Sequence, residues 1–160
     1  MNGDDFILYE EDMEAIQQEL ARLLAEAQAT CVLLVHGSGQ LVAQSGFTRD
    51  LDTTSLAALT AGAFASTKEI ARLIDEPEFS VLFHEGSHTS MHLSLVGTHA
   101  SLVTIFDKRT SLGLVRLCAA QTAERLNHVF ARAAERELKG QHKVVGLPAG
   151  ELFGQRPSEA

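Results

Sequence analysis

Apolar residues recur at three- and four-residue steps through positions 10–27, at Met13, Ile16, Leu20, Leu23, Leu24 and Ala27, while Glu14, Glu19, Arg22 and Glu26 turn away from them. That spacing predicts an amphipathic first helix. The period then changes. Two apolar runs, 31–36 and 41–45, flank Gly37-Ser38-Gly39 and predict a hairpin. The first run is apolar on both faces and belongs inside a sheet, whereas Gln44 and Ser45 place the second at an edge. A second helix follows Asp52, an N-cap residue type with Leu51 and Leu56 at the two staple positions. Asp75-Glu76-Pro77 ends it, because proline disfavours helical geometry in the residue before it. Three strands come next, at about 81–85, 90–96 and 100–106, with turns at Gly86-Ser87 and Gly97-Thr98. Met91, Leu93 and Leu95 alternate with His92 and Ser94, the pattern of a half-buried strand. A last helix is capped by Thr110 or Ser111, is buried along Leu114, Cys118, Thr122, Leu126, Val129 and Ala133, and stops at Gly140.

The order is therefore α-β-β-α-β-β-β-α. It predicts an α+β domain with a five-stranded antiparallel sheet, helices one and three on one face and helix two on the other. Helix two is unusual. From Thr53 to Thr67 it carries no charge and mostly small side chains, although a helix facing water normally has a charged face. Residues 141–160 contain Gly and Pro and read as a tail, either a disordered end or, through Gly150-Glu151-Leu152-Phe153-Gly154, a docking peptide.

Composition narrows the function. The 160 residues fit one domain, and 45% hydrophobic with 21% charged residues is an ordinary globular mix. A net charge of -8 argues against a nucleic-acid module. Charge is unevenly placed: residues 9–30 carry a net -5 and residues 111–140 a net +2, so the first and last helices attract if they are neighbours. The acidic start lacks the apolar core of a secretory signal, and no apolar run approaches the roughly 20 residues of a membrane span. Cys31 and Cys118 read as reduced core residues of a cytoplasmic protein.

Candidate chemistry is sparse. His84, His88, His92 and His99 fall within sixteen residues, but across strands and turns rather than along a helix face, so exposed or edge-strand positions compete with a metal site. There is no phosphate loop. Arg109, in Asp107-Lys108-Arg109, is either an arginine finger acting in trans or part of a solvated loop. No cofactor is expected.

Five stretches carry a resemblance: Leu8–Asp12, His36–Leu41, Asp52–Gly62, Glu78–Gly86 and Ile105–Leu117. Over roughly residues 7–140 the chain resembles the roadblock / dynein-light-chain family, in its bacterial MglB-like branch. The resemblance implies a homodimer with paired second helices and joined third strands. It also implies binding of a small Ras-like, MglA-type GTPase whose hydrolysis is promoted without an inserted catalytic residue. A dimeric scaffold for a polarity or motility complex is the alternative. On this reading helix two packs on its own sheet through Leu56, Leu59, Ala63, Ile70, Leu73 and Ile74. It meets the partners through Ala58, Ala61, Gly62, Phe64, Ala65, Lys68 and Glu69. The sequence departs from the branch after Gly62, where Asn and small residues are usual. Phe64, Lys68 and Glu69 stand there instead.

Overall fold

The computed structural model describes residues 7–139. Gly140 and the 141–160 tail lie outside them. The elements are α1 (Glu10–Glu26), β1 (Cys31–His36), β2 (Leu41–Gly46), α2 (Thr53–Leu73), β3 (Val81–His84), β4 (Ser90–Val96), β5 (Ala100–Phe106) and α3 (Leu112–Leu138). All strand pairs are antiparallel, in the order β2-β1-β5-β4-β3. The all-buried β5 lies in the middle and the half-polar β2 at an edge.

Each face of the sheet has its own core. Val32, Leu34, Leu102 and Phe106 pack beneath α1 and α3, while Cys31, Leu33, Val35, Leu93, Val103 and Ile105 pack beneath α2. The two cysteines are thus buried on opposite faces and unlinked. The acidic α1 and basic α3 meet through Glu19–Arg125 at 2.5 Å and through Arg136, which bonds both Glu11 and Asp12. Asp12 also accepts the Tyr9 backbone N–H at 2.9 Å, closing the start of α1.

Helix ends follow local chemistry. The Asp52 carboxylate accepts the Ser55 N–H at 3.0 Å, and the Ser111 hydroxyl accepts the Leu114 N–H at 3.2 Å. Leu51 and Leu56 both pack against the core beneath α2, as a staple requires. The first two helices end without glycine. Gln28 (φ 53°) and Asp75 (φ 57°) take the left-handed position. Beyond them, the N–H groups of Ala29 and Glu76 reach the carbonyls of Leu24 and Ala71, the Schellman arrangement.

Three packing expectations are corrected. α2 does not rest on Leu59, Ile70, Leu73 and Ile74, which are all exposed; it rests on Ala57, Thr60 and Ala71, with Leu56 and Phe64 half-buried. Small residues bring the helix close to the sheet and turn the large aliphatics outward. On α3 the buried stripe begins at Val115 rather than Leu114. On β4, His92, Leu93 and Ser94 are all buried because helices cover both faces there.

Candidate partner-binding surface

The outer face of α2 steps through Leu59, Gly62, Ser66, Ile70 and Leu73, with Ile74 just beyond, and every one of these residues is exposed. Leu59 is 71% and Leu73 79% accessible. Such a large-and-small apolar stripe on the outside of a helix is a surface without its covering layer. Gly62 sharpens the point. Among the described residues a methyl group added there meets nothing within 4 Å, so no contact among them offsets the roughly 1 kcal/mol that a mid-helix glycine costs relative to alanine.

At the edge of the sheet opposite β2 runs β3, an edge strand paired with β4 alone, with Val81 and Phe83 on the α1/α3 side. Its Val81 and Phe83 remain partly exposed, and the Phe83 ring stacks on Phe106 at 6.2 Å between centroids. An edge strand with apolar side chains is open to pairing with a further strand.

The residues expected at the interface divide into two groups. Ala58, Gly62, Ala65, Lys68 and Glu69 are exposed, while Ala61 and Phe64 are half-buried. Phe64 points into its own core among residues such as Leu33 and Val103, so it does not project as a bulky obstacle on the outer surface. The smallness of Ala58 and Ala61 has a local cause as well. Gly39, at φ 92° in the β1–β2 turn, lies so close that a Cβ on it would sit 3.2 Å from the Ala58 Cα and 3.7 Å from the Ala61 Cβ. Glu69 pairs with Arg72 at 2.7 Å in solvent. Leu59, Leu73, Val81 and Phe83 were absent from the expected set. The outward period of α2 was the signal for the first two; for the strand residues, only the sheet order reveals an edge.

Between the second half of α2 and the β4–β5 turn lies a groove of about 230 Å³. Its walls are Ala61, Phe64, Ala65 and Lys68 on one side and Gly97, Thr98 and His99 on the other, with Phe79 and Leu95 adding apolar surface and Glu78 a charge. The Gly37 N–H donates to the His99 carbonyl at 2.7 Å, tying the two sheet turns together beside it.

The candidate chemistry separates. His84 and His92 lie on opposite faces of the sheet, since the register pairs Phe83, not His84, with His92. Among the described residues no group of three or more His, Cys, Asp or Glu is placed to hold a metal ion. Arg109 turns back on its own loop, its Nε 3.0 and 3.1 Å from the Asp107 oxygens. These bonds hold the Asp107 carboxyl below its usual range. No helix among the described residues is long and apolar enough to cross a membrane.

The three-layer α+β domain with this strand order is that of a roadblock-type domain, and the chain belongs to the Roadblock/LC7 domain family, whose pattern matches residues 15–106. Its likeness within the family is to MglB. It is 44% identical to Myxococcus xanthus MglB, with a TM-score of 0.75 over 79% of this chain and 96% of that one. The gliding protein MglB of Thermus thermophilus is 29% identical, with a TM-score of 0.76 over 81% and 98% of the two chains. An MglB with a tetrameric arrangement is also 29% identical, with a TM-score of 0.76 over 81% and 97%. No curated protein sequence matches significantly.

Proposed function

We propose that this chain is a cytoplasmic homodimer that binds the GTP form of a small Ras-like, MglA-type GTPase and speeds its hydrolysis, in the service of cell polarity or gliding motility. The observation that carries the reading is the charge-free outer stripe of α2, in which Gly62 is open to a close neighbour. A second copy presents the same stripe about a two-fold axis, so each contact is made twice. Burying a leucine-sized side chain contributes about 1.5–3 kcal/mol. The MglB likeness supports the choice of partner. Chemistry stays with the GTPase: phosphoryl transfer depends on positioning and charge stabilisation, and a surface that fixes the partner's mobile loops supplies positioning.

The paired helices would dock the GTPase near Ala61, Ala65, Lys68 and Glu69. Single-turnover GTP hydrolysis by the cognate GTPase, with and without the dimer, tests the reading. Hydrolysis should accelerate, and charge reversal at Lys68 and Glu69 should weaken binding while leaving the dimer intact. Tight binding with an unchanged rate would instead make the dimer a scaffold, and no binding in either nucleotide state would remove the GTPase altogether.

A further inference from the structure

The outer face of α3 lies across the sheet from α2. The bases of α3 do not all line it: Arg125 and Arg136 turn toward α1, where they bond Glu19, Glu11 and Asp12. From Gly113 to Leu138 this face steps at alternating four- and three-residue intervals, the spacing of a coiled-coil seam. Its positions are exposed, apart from the half-buried Ala134. Glu124 is the single charge among them, although a helix facing water normally carries its charges on this side. Leu138, 89% accessible, is the most exposed large apolar side chain of the described residues. At the other end of the seam, a methyl group on Gly113 would meet nothing within 4 Å among the described residues.

The seam is its own complement. Turned end for end about a two-fold axis between Arg125 and Leu126, it sets Leu138 against Gly113, Leu117 against Ala134, and Ala120 against Ala131. Each leucine meets a small residue, as a knob meets a hole. The one acid, Glu124, meets the amide side chain of Asn127 on the other copy. A lone polar layer of this kind fixes register at a cost in stability. Beside the seam, Arg116 falls next to Glu137 of the other copy. Every one of these contacts is made twice. Complementarity with its own reversal, in size and in charge, singles out a second copy of this chain as the occupant.

We infer that the outer seam of α3 pairs antiparallel with the same seam of a second copy, in a contact separate from the α2 stripe. With two leucines per copy in the seam, this contact is the weaker of the two and forms above micromolar concentration. The pairing stands on the seam alone; only its consequence for assembly rests on the proposed α2 dimer. Two different two-fold contacts on one chain join α2 dimers into larger assemblies.

Gly62→Arg is designed to remove the α2 contact and so isolates α3. In sedimentation this variant should pass from monomer to dimer between micromolar and near-millimolar concentration. Adding Ala131→Arg, at an exposed position of the seam, should keep it monomeric with unchanged far-ultraviolet dichroism. Arg116→Glu should weaken the pairing several-fold, and Glu137→Arg combined with it should restore the affinity. A monomer throughout, or a concentration-dependent dimer indifferent to Ala131→Arg, would overturn the α3 pairing. Disulfide cross-linking reads the orientation, since both native cysteines are buried. A mixture of Ala120→Cys and Ala131→Cys chains should link several-fold faster than either chain alone. Self-linking as fast as the mixed reaction would overturn the antiparallel register. Gly62→Arg that is already dimeric at micromolar concentration would defeat the α2 stripe rather than this seam, and the cross-links would then decide the α3 pairing by themselves.

Discussion

His92 shows how one residue can set the response of the whole chain to pH. It is 2% accessible, paired in register with Thr104 and Phe83. Burial, aided by the Arg116 charge, pushes its pKa below the ordinary histidine value. In the unfolded chain the imidazole takes up a proton below about pH 6.5; in the folded chain it does so only at lower pH. The unfolded state therefore binds more protons in that window, and stability falls as pH drops through it, by at most about 1.4 kcal/mol per pH unit for one proton. Urea unfolding at pH 7.5 and 5.5 should show this loss, and His92→Gln should reduce it. Gln28 offers a second residue-scale test. Its left-handed backbone costs a non-glycine residue roughly 1–2 kcal/mol, so Gln28→Gly should raise the unfolding midpoint, with a gain near 1 kcal/mol after the entropy of the freer unfolded chain is counted.

At the scale of elements, α2 is where sequence and structure part. Boundaries were readable because local chemistry makes them: Asp52 and Ser111 cap their helices, and Gly37-Ser38-Gly39 turns the first hairpin. The two-plus-one division of helices followed from sheet faces that are apolar on both sides, whereas the strand order came from the structure alone. The facing of α2 did not. Its two apolar periods coexist, one of Leu and Ile, the other of Ala, Thr and Phe, and size alone favoured the wrong one. Helix-to-sheet distance decides between them, and that distance depends on the Gly39 turn beneath Ala58, a contact distant in sequence. The candidate surface was legible as a charge-free helix, but the side chains forming its stripe were not. Gly62→Arg tests the stripe directly. The arginine has open space among the described residues, so the domain should stay folded while light scattering shows the dimer lost at micromolar concentration. A parent protein that is monomeric under the same conditions would refute the stripe as an interface.

At the scale of the molecule, function is expected to reside in surfaces rather than in a reactive group. Arg109 illustrates the difference. It is exposed, but its guanidinium is held by Asp107 in the same loop. Removing a catalytic arginine finger would cost on the order of 10³–10⁵ in rate. Arg109→Ala should leave the stimulated hydrolysis within a few-fold of the parent, and a loss of the larger size would assign it that role. The placement of β5 has a separate consequence, for the order of events during synthesis. Its neighbours are β1, from the first third of the chain, and β4, the strand immediately before it. Until residue 100 has left the ribosome, the nascent chain holds two separate ribbons, β1–β2 and β3–β4, each with a bare hydrogen-bonding margin that only the seventh element can close. Joining the distant ribbon requires a long loop to close first, a step that slows folding. A chain stalled before β5 exposes two sticky margins at once. Protection of the β1 amides that bond to β5 should therefore appear together with protection in β5, and later than that of the β1 amides that bond to β2.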